Sequence, residues 1–395
     1  MEKDKFIKMA LTGNEAYAYA MKQINPDVVA AYPITPATEI VQIFSKYVAD
    51  GLVDTEFVPV ESEHSAMSAC VGASVAGARV MTGTASQGLA LMHEILYIAA
   101  GLRLPIVMAV VNRALSAPIN IHGDQSDTMG SRDAGWIQIY TENADEAYHS
   151  VIMAIKIAES VNLPAMVMLD GFIISHEMEV VNTLPDEEVK KFIGERKPLY
   201  NLFDFQNPIT VGPLDLQDYY FEHKRQQMEA MFNAKKVIPE ITKEYNDTFG
   251  TNIPAFVEPY KLEDAEYAIV AMSSAAGTMK EIIDEWRSKG EKVGLLRLRI
   301  TRPFPYEEIR KYLAGIKAVG IMDRAETHST MGGPMLQEIK AALYDLANRP
   351  RITGFVFGLG GRDFDDEQAN TILTMVKEMK DGKELPLYSF IGVRE

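Results

Sequence analysis

Three short stretches of this 395-residue chain carry residue types able to do chemistry. In the first, VPVESEHSAMSACVGASVAGARV at 58–80, Glu61 and Glu63 stand two positions apart. Acids at that spacing cannot share one face of a helix, so at most one of them points into a given site. The small residues that follow, among them Ala66, Ala69, Gly72, Ala73 and Ala76, suit a helix packed close to a neighbour. A carboxylate at its start is drawn out of water and suited to proton transfer. The plainer reading is an acid in a first helical turn, worth about 0.3–1 kcal/mol through the helix dipole.

The second stretch, AYPITPATEI at 31–40, follows the apolar run Val28-Val29-Ala30. Thr35 before Pro36 predicts a helix start, with the hydroxyl capping free N–H groups, proline at the first helical position and Glu39 near the positive end. Pro33 is left over from that account and stiffens the approach from the strand. A rigid loop at the carboxyl end of a parallel strand is where open α/β sheets bind ligands. In the third stretch, VVNRALSAPINIHGDQSD at 110–127, Arg113 comes directly after an apolar strand. It can grip a carboxylate through two charge-assisted hydrogen bonds or serve as a structural ion pair. Asp124 and Asp127 read equally well as turn residues, and their role stays open.

These residues need elements to hold them. Strand-like runs at Val28–Tyr32, Arg79–Thr82, Pro105–Val111 and Ala165–Asp170 alternate with helical patterns, the βα rhythm of a parallel sheet covered on both faces. Around 181–260 the rhythm gives way to a stretch rich in Pro, Asp and aromatics, then a long charged helix over Phe221–Tyr245. A second rhythm runs through Tyr267–Met272, Lys292–Arg299, Ala318–Met322 and Thr353–Leu359. The expected organisation is a first domain at 1–180, a connecting arm at 181–260 that makes an assembly contact, and a second α/β domain at 261–395.

Composition excludes several classes. Asp plus Glu number 55 against 39 for Lys plus Arg, a net charge of −16, with no basic run, so nucleic acid is not an expected partner. The N-terminus mixes acids and lysines without a signal-peptide core, and the most apolar stretch, 88–111, is broken by His93, Glu94 and Arg103, so a cytoplasmic protein without a membrane span is expected. One cysteine, Cys70, cannot by itself hold an iron–sulfur cluster, and the seven histidines include no HExxH, so no metal site is expected on this chain. Gly72 to Gly77 has P-loop glycine spacing without the Lys-Ser/Thr that follows it. Thr84-Ala-Ser86-Gln-Gly88 is a near miss to a nucleophile elbow, which keeps a hydrolase reading on Ser86 open. Gly358-Leu-Gly-Gly361 lacks dinucleotide spacing.

Together YPITP at 32–36, ESEHSA at 61–66, TASQGLALMHE at 84–94, NRALSAPIN at 112–120, RPFP at 302–305 and GLGGRDF at 358–364 resemble the alpha subunit of multi-subunit 2-oxoacid:ferredoxin oxidoreductases, in their pyruvate branch. The resemblance implies an α/β chain: a thiamine diphosphate-binding fold of the pyrimidine-binding type, plus a transketolase C-terminal-like domain. It implies thiamine diphosphate shared with a beta subunit that carries the diphosphate-binding half, since Gly123-Asp124-Gln125 is the only near match to that half's GDG. Mg2+ and [4Fe-4S] clusters would sit on partners, among them gamma and ferredoxin-like delta subunits, with coenzyme A as co-substrate and ferredoxin as electron acceptor. Carried over by position, Glu63 bonds the aminopyrimidine ring and favours its imino tautomer, which removes the cofactor's reactive C2 proton. Thr35 and Arg113 bind the oxoacid, and Pro33, Ile34, Ser86 and Gln87 line the cofactor. Glu61 is the reserve for Glu63. A bulkier 2-oxoacid, 2-oxoisovalerate among them, and a noncatalytic scaffold subunit are the alternatives.

Overall fold

The computed structural model describes residues 6–199 and 201–394; Met1–Lys5, which open the mixed-charge N-terminus, lie outside it. A seven-stranded sheet runs in the order Ile300–Arg302, Ile137–Tyr140, Ala165–Asp170, Val107–Asn112, Val80–Thr84, Val28–Ala31, Glu56–Pro59. All neighbours pair parallel except Ile300–Arg302, which lies antiparallel on Ile137–Tyr140. The three central strands from 80 to 170 are buried along their whole length. That is why the segments 107–111 and 165–169 read as unbroken apolar runs rather than as alternations. Glu56–Pro59 and Ile137–Tyr140, four residues each, carry no comparable run and were not expected.

The helix Ala144–Val161 is buried on nearly every face, between the sheet and the helix Tyr220–Phe249. The latter is longer than the charged pattern suggested and accommodates Pro239. Its buried positions, Ala230, Ala234, Ile238, Ile241, Tyr245 and Phe249, recur at three- and four-residue spacing and form the stripe that docks. Tyr245 and Phe249 also pack edge-on against Phe192.

A second, six-stranded sheet has the order Tyr388–Phe390, Arg351–Val356, Ala318–Asp323, Tyr267–Met272, Val293–Leu298, Val257–Tyr260, all parallel but for the last. Three features depart from the expected boundaries. Val257–Tyr260 belongs to this second sheet although it precedes residue 261, and Ile300–Arg302 leaves it to close the edge of the first. The segment at 181–183 likewise belongs to a two-stranded ribbon, Met178–Thr183 on Ile7–Thr12, rather than to the arm. The arm proper leaves Phe203, Phe205 and Leu214 exposed, the last two at 80% and 89%.

The sheets are joined by buried charge. Glu146, on the helix Ala144–Val161, accepts from Arg297 at 2.8 and 3.2 Å and from Arg299 at 2.9 Å. Asp170, at the end of a first-sheet strand, accepts from Arg324 at 3.2 Å and from Ser274 at 2.5 Å. Gly358, Gly360 and Gly361 all have positive φ, and a Cβ on Gly361 would collide with His122. These glycines let the second domain touch the 120–124 loop, where Asn120 donates to Gly360 O and Gly360 N–H to Asp124. The GLGG turn is a packing device here.

Candidate active site

The chemistry-bearing residues gather at the carboxyl ends of the first sheet's strands, the expected place for a ligand in an open α/β sheet. Glu63 is the first residue of the helix Glu63–Val75, whose N-cap Ser62 accepts from Ser65 N–H. It is 7% exposed, and its carboxylate makes no hydrogen bond or ion pair among the described residues. With most of the side chain packed away and no protein donor on it, the carboxylate is open to a donor from a ligand. Glu61, two residues earlier, is exposed and takes the Ser65 hydroxyl, which holds its carboxyl below the ordinary value. The reserve acid therefore faces solvent.

Gly88 lies against Glu63. A Cβ there would come within 2.7 Å of Glu63 Oε1 and closer still to Thr84 Oγ1, which is itself buried without a partner, as is Gln87 Nε2. Gly88→Ala is expected to push the Glu63 carboxylate aside, at an overpacking cost of about 1–3 kcal/mol. Turnover should fall at least about tenfold while assembly persists; an active, normally folded Gly88→Ala chain would show that Glu63 tolerates displacement.

Ser86 begins the next helix with φ of 48°. Its hydroxyl donates to Ala114 O at 2.5 Å and lies 2.6 Å from Gln87 Oε1. No imidazole is among its partners, so the hydrolase reading has no base to work with. The P-loop spacing fails as well, since Gly72 lies inside the helix Glu63–Val75 and opens no loop. Cys70 is buried, and burial pushes its thiol up to about 12, which leaves it inert.

Arg113 follows the strand Val107–Asn112 and is 6% exposed. Its Nη1 donates to Thr35 O at 2.9 Å and its Nε to Asn120 O at 2.8 Å. No carboxylate ion-pairs with it among the described residues, so the structural ion-pair alternative is not realised. Burial lowers its pKa while Asp127 opposes the shift, and a guanidinium stays cationic regardless.

Thr35 corrects one expectation. The helix begins at Thr38, with Ala37 in the N-cap position and no side-chain cap, because Pro36 and Ala37 still belong to the turn. Thr35 is exposed and meets Arg113 through its carbonyl, while Asn14 Nδ2 holds Pro36 O at 3.0 Å. Pro33 is exposed and Ile34 half-buried against the core. Hydrogen bonds thus join Thr35 and Arg113, and Ser86 and Gln87 lead into Gly88 beside Glu63; no direct bond ties Glu63 to Thr35 or Arg113.

Two acids whose role the sequence left open are held in different ways. Asp124 binds Ser126 N–H and Gly360 N–H. Asp127, 3% exposed, accepts from Ser86 N, Arg113 N, Asn112 Nδ2 and Thr128 N at 2.7–3.0 Å. Burial pushes its carboxyl up to about 7, with those donors opposing. No set of three or more His, Cys, Asp or Glu side chains could hold a metal ion among the described residues, and none of their helices is long and apolar enough to cross a membrane.

For thiamine diphosphate the fit is half of a site. The partnerless Glu63, the side-chain-free floor at Gly88 and the unpaired Thr84 and Gln87 atoms suit a polar ring, whereas the described residues include no acid cluster for a diphosphate-bound metal. Residues 19–243 match the pyruvate flavodoxin/ferredoxin oxidoreductase, thiamine diphosphate-binding family, and residues 265–369 match pyruvate:ferredoxin oxidoreductase core domain II. The chain is 58% identical over 362 residues to pyruvate synthase subunit PorA of Thermotoga maritima, covering 91% of this chain and 92% of that protein. To ketoisovalerate oxidoreductase subunit VorA of Pyrococcus abyssi it is 45% identical over 380 residues, 96% of each. The solved 2-oxoglutarate:ferredoxin oxidoreductase of Magnetococcus marinus shares the fold at a TM-score of 0.72 and 19% identity, over 96% of this chain and 66% of that one. On its motifs, its two domains and these relatives, the chain belongs to the pyruvate flavodoxin/ferredoxin oxidoreductase family.

Proposed function

We propose that this chain is the alpha subunit of a cytoplasmic pyruvate:ferredoxin oxidoreductase that decarboxylates pyruvate oxidatively with coenzyme A, giving acetyl-CoA and CO2 and reduced ferredoxin. The observation that carries the reading is the buried, partnerless Glu63 against Gly88. Bound thiamine diphosphate supplies the nucleophilic carbon and the electron sink for decarboxylation. Glu63 holds the aminopyrimidine ring and exchanges a proton at its ring nitrogen. Arg113 binds the oxoacid carboxylate, and the PITP loop, tied to Arg113 through Thr35 O, keeps the acid in place. Pro33, Ile34, Ser86 and Gln87 shape the cofactor's surroundings. A beta subunit supplies the diphosphate and Mg2+ contacts, and the clusters lie on partner chains, including gamma and delta subunits. The exposed aromatic arm is the assembly contact; its deletion should dissociate the complex, and an intact complex would remove that assignment.

Dye reduction by the co-purified complex, run anaerobically over a panel of 2-oxoacids with and without coenzyme A and thiamine diphosphate, tests the function. Reduction strongest with pyruvate and dependent on both additions is expected. The VorA relative, also similar over nearly the whole chain, makes 2-oxoisovalerate the competing substrate. Reduction strongest with that acid would keep the mechanism and change the substrate; an inert, cofactor-loaded complex would favour a scaffold subunit. Arg113→Ala should raise KM for the oxoacid about 10- to 100-fold, the usual loss for charged hydrogen bonds, with a smaller change in kcat. An unchanged KM would count against the carboxylate grip.

A further inference from the structure

We propose that Asp127 is a positioning residue for the oxoacid: it fixes Arg113 against the Ser86–Gly88 turn and so sets how firmly the acid's carboxylate is held. The inference rests on the oxoacid reading given above. The parallel strands Val80–Thr84 and Val107–Asn112 are last paired at Thr84 and Val110, and the chains then separate toward Ser86 and Arg113. Asp127 Oδ2 spans that gap, accepting the N–H of Ser86 and of Arg113 at 3.0 Å each. Its Oδ1 takes Asn112 Nδ2 at 2.8 Å and Thr128 N at 2.7 Å. Both oxygens face two N–H donors each, an arrangement that suits the ionised, acceptor-only form, although burial acts the other way.

The base of Arg113 is thus held by Asp127, and its tip by Thr35 O and Asn120 O. Nη2 makes no hydrogen bond among the described residues and is the group left for a ligand. The same carboxylate holds Ser86 at its positive φ, two residues before the glycine that abuts Glu63. One buried acid therefore couples the spacing of the two ends of the site, although it touches neither ligand.

In Asp127→Asn, an NH2 group replaces one of these acceptors and faces N–H donors. The complex is expected to show KM for pyruvate raised about tenfold or more, with a smaller fall in kcat. In the Arg113→Ala background the same change should lower kcat/KM by less than about threefold, because the residue through which it acts is gone. A full, multiplicative loss in that background overturns the inference, as does an unchanged KM in the single variant. Asn112→Ala removes the one side-chain donor of the four and spares the three backbone contacts. If Asp127→Asn does not assemble, KM in Asn112→Ala decides, a rise of about two- to fivefold supporting the inference and a wild-type value refuting it. A wild-type complex inert toward every oxoacid refutes the proposed function itself, whereas an active one with multiplicative losses refutes only the role of Asp127.

Discussion

Glu63→Gln is expected to lower kcat by about 10²–10⁴, the usual share of general acid–base catalysis, with the complex still assembled. The substitution keeps the side chain's size in a pocket where Gly88 leaves no spare volume, so packing should survive. What it removes is the ability to exchange a proton with, and to carry charge against, the aminopyrimidine ring that Glu63 is proposed to hold. Glu61→Gln is the matched control. That acid is exposed and already bonded to Ser65, so its loss should leave turnover within about twofold. Dye reduction with pyruvate, beside denaturation midpoints for both variants, separates catalysis from folding. Near-normal turnover in Glu63→Gln would sink the assignment.

The contrast between Glu61 and Glu63 marks what was legible. Their spacing requires that one acid at most face the site, and the alanine-rich helix behind them announces close packing, so the sequence narrows the choice without making it. What selects Glu63 is Gly88, whose approach across the sheet has no local signature. Arg113 was legible because it directly follows a fully buried strand, whose apolar run stops one residue earlier. Thr35 was misread as a cap because Thr-Pro scores well locally, whereas the turn runs on to Ala37. Asp127 looks like any turn acid in a Gly-Asp-Ser-rich loop, and its four donors come from residues 86, 112, 113 and 128, which only the folded sheet brings together. The crossing of Ile300–Arg302 into the first sheet was hidden for the same reason, since three residues carry no period.

The second large effect concerns the joint between the domains. Glu146→Gln is expected to destabilise the chain by about 3–5 kcal/mol, the cost of stranding a buried partner. Arg297 keeps Glu142 and Glu258, but fully buried Arg299 has Glu146 as its only carboxylate among the described residues. With its charge unmatched, Arg299 retains neutral acceptors alone among the described residues: Ser150 Oγ, Ala255 O and at most the amide oxygen of the substituted side chain. Adding Arg299→Met to Glu146→Gln should recover part of the loss, because the uncompensated charge goes too. The acid limb of the stability profile gives a second check. Although burial acts against it, pairing with Arg297 and Arg299 brings the Glu146 carboxyl from its ordinary 4.5 down to about 2. A depressed carboxylate stabilises the fold above its unfolded-state value, and that contribution is lost as pH falls from about 4.5 through 2. Denaturation midpoints of the complex should therefore drop over that interval in the wild type and less steeply in Glu146→Gln. Parallel profiles for the two proteins would show that the Glu146 pair contributes nothing across the joint.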